Sequence, residues 1–402
     1  MEANKNNVEK EIDEVCDKIM NNLTPTFQNY QNNILQSVTQ NLSRLDKIVN
    51  DQLINYTNLL IKDNDDELRR KQINIKEIKY PKLINLANIN NTNFLINLVL
   101  LYLSNIDRLT GYFLKAKHEE QILYKAKQNP AGTFLAPSYL KLLDHLWKGT
   151  KKVYDPLEIH EKLKILMQNN YYSTNPGVII NFIVNQLHQE LNLNTNMINQ
   201  PDWNFNMNMA FQNFVNYFNS IHNELSDEFF STIRITKTTA QNTPIFIYQS
   251  TVVFNLYLNN INTQFISVEQ WFKNLIFDTN DINYYCMNNE NFKDKTVVAI
   301  PKILVLNINR NNNQKQYLNY PPILFDNNLI ENNGQQSGKY ELYCVIISKY
   351  ENNNNTFYAY IKNVIDYKWY LYDNEGIKIV NNEEEIFDLE NASNASLLIY
   401  QK

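Results

Sequence analysis

Residues 339–380 read KYELYCVIISKYENNNNTFYAYIKNVIDYKWYLYDNEGIKIV. Four runs rich in Tyr, Val, Ile and Leu are separated by an asparagine cluster, an Asn-Val-Ile-Asp segment and an Asp-Asn-Glu-Gly turn. Such runs between turn residues predict successive hairpins. Working outward, FIYQSTVVFNLYL (246–258), TVVAIPKILVLNINR (296–310) and the closing SLLIYQK (396–402) alternate or run apolar in the same way. From 226 to 402 the chain therefore reads as β.

From 80 to 225 the period changes to that of a helix. Leu95, Leu98, Val99 and Leu103 share one face; Leu157, Leu163 and Leu166 belong to a second helix; Ile179, Ile183, Leu187 and Leu191 belong to a third. Helices first and strands afterwards predict an α+β domain over 80–402, not a doubly wound sheet. Ahead of it, 1–62 carries two helical stripes divided at Thr24-Pro25, a cap followed by a first-turn proline. This N-terminal helical arm suits a coiled coil that docks a partner, or a hairpin folded on its own domain. A charged linker, 63–79, follows.

A net charge of -5 in 402 residues gives no pull toward nucleic acid or anionic lipid. With 7 glycines and no GxxxxGK[ST] or GxGxxG, the chain lacks phosphate-cradling loops, so no nucleotide cofactor is expected. Neither HExxH nor a CxxC pair occurs, and no metal is expected. Three cysteines are not expected to form a disulfide framework, and the polar start MEANKNNVEKEIDEV is not expected to act as a signal peptide. Phe94–Leu103 is too short to span a bilayer. An intracellular, cytoplasmic or nuclear protein is expected.

Four segments in order carry a resemblance. Leu86-Ala87-Asn88-Ile89-Asn90-Asn91-Thr92-Asn93-Phe94-Leu95 resembles the cysteine box of the ubiquitin-specific proteases, Gly-Leu-x-Asn-Leu-Gly-Asn-Thr-Cys-Phe/Tyr-Leu/Met. Asn175-Pro176 through Phe182 to Leu187-His188-Gln189-Glu190-Leu191 resembles Asp-Ala-x-Glu-Phe…Leu-His-x-Glu-Leu. Pro301, Leu304, Leu306 and Arg310 fit Leu-Pro-x-x-Leu-x-x-x-Leu-x-Arg-Phe. Residues 339–380 are similar to the histidine box, with Asn355-Thr356-Phe357-Tyr358-Ala359-Tyr360 on Gly-His-Tyr-x-Ala-Tyr and Trp369…Asp373 on Trp-x-x-Phe-Asp.

The resemblance implies a papain-like cysteine-protease fold, with a helical thumb and a β palm and fingers. It also implies what is missing. Asn93 stands at the nucleophile and Thr356 at the base, whereas Asn88 matches the oxyanion-hole asparagine and Asp373 the acid that orients the histidine. A thiolate and an imidazole cannot be replaced by an amide and a hydroxyl that do not titrate near neutral pH. Asn175 and Val178 replace the acidic residues that would hold the cationic ubiquitin tail in a cleft, and Tyr358 and Trp369 are further candidate cleft residues. Only Cys286 remains in 229–300, so a four-thiolate zinc ribbon in the fingers is not expected. The expected function is a catalytically inactive binding or scaffolding module for a protein partner or ubiquitin, with the arm assisting complex formation. The alternative is a divergent cysteine hydrolase in which Cys16 meets a histidine of the helical half.

Overall fold

The computed structural model describes residues 83–87, 94–114, 122, 134–149, 153–192, 202–239, 241–258, 265–274, 291–310, 316–325, 329, 338–351 and 354–402. All belong to one compact unit, Ile75–Lys402. The arm at 1–62 and the linker at 63–79 lie outside the described residues.

The helical half opens with strand β1 (Asn85–Leu86), then α1 (Phe94–Ser104), α2 (Asp107–Leu114), α3 (Ala136–Lys148), β2 (Val153–Tyr154), α4 (Leu157–Met167) and α5 (Pro176–Leu191). Next come α6 (Met207–Ser220), α7 (Glu224–Phe229), β3 (Ser231–Thr238), β4 (Pro244–Thr251), β5 (Val253–Tyr257), β6 (Phe265–Ser267) and α8 (Val268–Asn274). The strands β7 (Asn291–Ala299), β8 (Ile303–Asn309), β9 (Tyr317–Asn319), β10 (Ile323–Phe325), β11 (Lys339–Glu351), β12 (Asn354–Lys362), β13 (Trp369–Asp373) and β14 (Gly376–Ile379) follow. Helix α9 (Leu389–Asn394) and β15 (Ala395–Gln401) close the chain. This is the α+β order expected, with the helix-to-strand change at α7–β3.

The largest sheet runs β14-β13-β12-β11-β15-β8-β5, with β10 on β11; β4-β3-β7 form a separate three-stranded sheet. The large sheet is covered on both faces. Val305, Cys344, Ile346, Ala359, Ile361, Leu397 and Ile399 face the helical core, whereas Leu304, Leu306, Val345, Ile347, Tyr360, Leu398 and Tyr400 pack into a second core with Trp271, Phe272 and Tyr320. Strands covered twice carry continuous apolar runs because both alternating positions are buried. That is why Ile303–Leu306 and Val345–Ile347 show no period of two.

Helix α1 is likewise buried on every side: all of Phe94–Ser104 is buried, not only the stripe Leu95, Leu98, Val99 and Leu103. On α4 the stripe is shifted from the expected one. Ile159, His160, Leu163 and Met167 are buried, while Leu157 lies at the exposed first turn. Helix α5 begins with a local capping pattern. Asn175 caps it by accepting hydrogen bonds from the backbone N–H of Gly177 (2.8 Å) and Val178 (3.4 Å), and Pro176 occupies its first turn. Gly177 lets this end close onto β8, since a Cβ there would lie 2.3 Å from Asn307 Cγ.

Candidate functional site

Asn88 and Asn93 lie outside the described residues; Phe94, the next residue, is the first of α1. One turn into the helix, buried Asn97 donates through Nδ2 to the Ala87 carbonyl (3.3 Å). Its Oδ1 must therefore accept, and it lies 2.7 Å from His160 Nε2. This fixes the proton of His160 on Nε2 and leaves Nδ1 to accept from the Tyr171 hydroxyl (2.9 Å). Burial lowers the His160 pKa to about 4. The chain Tyr171–His160–Asn97 thus ties α4 to α1 and to the residue preceding Asn88. Sequence reasoning missed it, although a histidine within the apolar stripe of α4 was the available signal.

Across the sheet, the β11–β12 ladder runs without a register shift from Cys344↔Ile361 to Glu351↔Asn354. No bulge re-aims a side chain along it. Phe357, Ala359 and Ile361 enter the helical core, so alternation directs Thr356 to the face of Tyr358 and Tyr360, away from that core. Thr356 is exposed, and its hydroxyl donates to the carbonyl of Lys349, its partner in the ladder (3.4 Å). Asp373 is occupied by its own turn: Oδ1 accepts from Glu375 N (2.8 Å) and Gly376 N (3.0 Å), and Oδ2 pairs with Lys378 (3.0 Å). Gly376, at φ +134°, supplies the backbone that this Asp-initiated turn needs. Thr356 and Asp373 do not hydrogen-bond to each other.

The remaining candidates divide. Val178 is exposed in the first turn of α5, where a partner can reach it. The Asn175 amide also donates to Asn309 Oδ1 (3.3 Å), and Asn309 and Asn307 both donate to Asn255 Oδ1 (3.4 and 2.7 Å). Four asparagines therefore stand at this end of α5, uncharged throughout. Tyr358 is half-buried and donates to Asn391 Oδ1 (2.8 Å). Trp369 is 4% exposed within the second core, so it is a packing residue and not a cleft wall.

Cys344 is fully buried in β11, and burial pushes its thiol far above the usual range. It behaves as a small apolar side chain. Cys16 and Cys286 lie outside the described residues. His188 bonds to Ser226 (3.0 Å) and His222 to Asp227 (2.9 Å). Among the described residues no cluster of His, Cys, Asp and Glu could hold a metal, and no helix is long and apolar enough to cross a membrane.

Residues 84–400 match the family model described as ubiquitin carboxyl-terminal hydrolase. Ubiquitin carboxyl-terminal hydrolase 19 of Rattus norvegicus is 30% identical over 135 residues, 32% of this chain and 9% of its own length. Ubiquitin carboxyl-terminal hydrolase 15 of Homo sapiens is 30% identical over 116 residues, 28% of this chain and 11% of its own. The aligned part thus spans about a tenth of these relatives. Among solved structures, the Ubp8-Sgf11-Sgf73-Sus1 SAGA DUB module is similar at a TM-score of 0.52 and 14% identity, covering 84% of this chain and 73% of the other. A SAGA DUB module bound to monoubiquitin is similar at 0.54 and 13%, covering 84% and 74%. At such identities the likeness concerns the fold.

Proposed function

The chain belongs to the ubiquitin carboxyl-terminal hydrolase family, and we propose that it serves as a protein-binding module of that family without its hydrolytic activity. The observation that carries this reading is the pair of residues at the reactive positions, Asn93 for the thiol and Thr356 for the imidazole. An amide does not attack a carbonyl, and a threonine hydroxyl neither lowers a thiol's pKa nor protonates a leaving amine. Losing one member of such a constellation costs orders of magnitude in rate, and here two are replaced. The local bonding supports the same reading: the Thr356 hydroxyl is spent on a ladder carbonyl, and Asp373 on its turn and Lys378.

The neutral end of α5 bears on the partner. Charge-assisted pairing of carboxylates with arginines is what would hold a cationic tail. Asn175, Val178 and the amides of Asn255 and Asn309 offer no such charge. This favours a protein partner other than the tail of free ubiquitin, with the arm at 1–62 as a second point of attachment. Ubiquitin itself, bound by one of the similar structures, is the other candidate ligand.

The test is hydrolysis of fluorogenic ubiquitin and of di-ubiquitins by the full chain. No release above the buffer rate is expected. Turnover that disappears in Cys16→Ala overturns the reading and assigns the chain to an active cysteine hydrolase.

A further inference from the structure

The three-stranded sheet and α6 carry none of the candidate site residues named above. Asn204 forms a two-bond bridge with Phe246 of β4 (2.9 and 2.8 Å), and the Asn206 side chain caps α6 through Asn208 N and Met209 N. Trp203 lies under the buried Lys237 ammonium at 4.5 Å. The start of α6 is therefore held rigidly on the sheet. What it holds outward is apolar: Phe205 is 65% exposed, Met207 41%, Met209 56% and Phe211 39%. No residue from Asn204 to Ser220 is charged.

Beside this patch stands Arg234 of β3. Its Nη2 donates to Thr296 Oγ1 (3.0 Å) and its Nη1 reaches only the weak acceptor Met207 Sδ (3.7 Å). Its Nε is buried without a hydrogen-bond partner, and no carboxylate of the described residues forms an ion pair with it. A guanidinium left so is poorly satisfied, and the fork geometry of arginine is matched by a carboxylate. An arginine in contact with a methionine, opposite Tyr248 in the β3–β4 ladder, also fits the composition of an interaction centre, where surrounding apolar contacts exclude water from a charged pair.

We infer that the α6 face around Phe205, Met207, Met209 and Arg234 docks a protein segment in which an Asp or Glu is flanked by apolar side chains. The carboxylate meets Arg234, and the flanking side chains cover the methionines, whose unbranched chains adapt to the shape presented. The inference concerns a surface other than the reactive positions, so its outcome is independent of hydrolysis.

The experiment displays random twelve-residue peptides against the immobilised full chain, and then measures synthetic copies of the enriched sequences by fluorescence anisotropy. Enriched peptides are expected to share one Asp or Glu between Leu, Phe or Trp residues. Binding should weaken about tenfold or more in Arg234→Gln, and again in Met209→Ser, with Arg234→Lys intermediate. Met209 is exposed, so Met209→Ser should melt at the wild-type temperature and keeps the test decisive if Arg234→Gln unfolds. Peptides without an acidic residue, peptides that bind both variants as well as wild type, or no enrichment at all would each overturn the inference. Concentration-dependent self-association abolished by Met209→Ser would overturn it in favour of a second copy of the chain.

Discussion

Helix α1 follows directly on position 93 and the outer end of the β11–β12 hairpin carries Thr356, the two positions on which the proposed loss of activity rests, yet these regions are held in opposite ways. Every side chain of α1 is buried, and its one interior amide, Asn97, is satisfied by Ala87 and His160. At the hairpin's end Thr356 is exposed and bonds only within its own ladder. The difference teaches where a fold constrains its sequence. A buried position must keep volume and pair each polar atom, because voids and unpaired groups cost several kcal/mol. An exposed strand position imposes little, so the residue there can change without disturbing the sheet.

This contrast can be broken by measurement. The largest effect belongs to the helix: Leu98→Ala, at a fully buried site, should cost about 2–5 kcal/mol in urea unfolding. A cost under about 1 kcal/mol would mean that the helical core is not packed as described.

A smaller effect comes from the polar chain. His160 has a folded pKa of about 4, below its ordinary value of 6.5, so the unfolded state binds the extra proton between those limits. Its contribution is fully present above pH 6.5 and is lost as the pH falls toward 4, by up to about 3 kcal/mol. His160→Gln should therefore be less stable at neutral pH, and its stability should decline less steeply between pH 6.5 and 4. An unchanged slope would show that His160 does not titrate on unfolding as its burial requires.

The smallest effect is expected at the open end of the hairpin. Thr356→Ala should change stability by less than about 0.5 kcal/mol, since it removes only an exposed, long hydrogen bond. A loss comparable to that of Leu98→Ala would abolish the distinction between the two regions.

Much of this was legible in the order of residues. The α+β division and the hairpins within 339–380 follow from local preferences and short-range periodicity, which the chain carries wherever it folds. So do the chemical identities at 93 and 356, because no tertiary arrangement makes an amide a nucleophile or a threonine a base near neutral pH. The tertiary structure alone decided which candidates share a place. It put Trp369 into the second core, turned Thr356 to the face away from α1 through an unbroken ladder, and gave Asp373 to its own turn. It also joined Asn97, His160 and Tyr171, and set Arg234 beside Met207, pairs separated by up to 63 positions or by a change of element. Such pairings depend on which strand lies beside which helix, and that is fixed by the burial of both faces of one sheet, a property of the whole chain that no segment holds by itself.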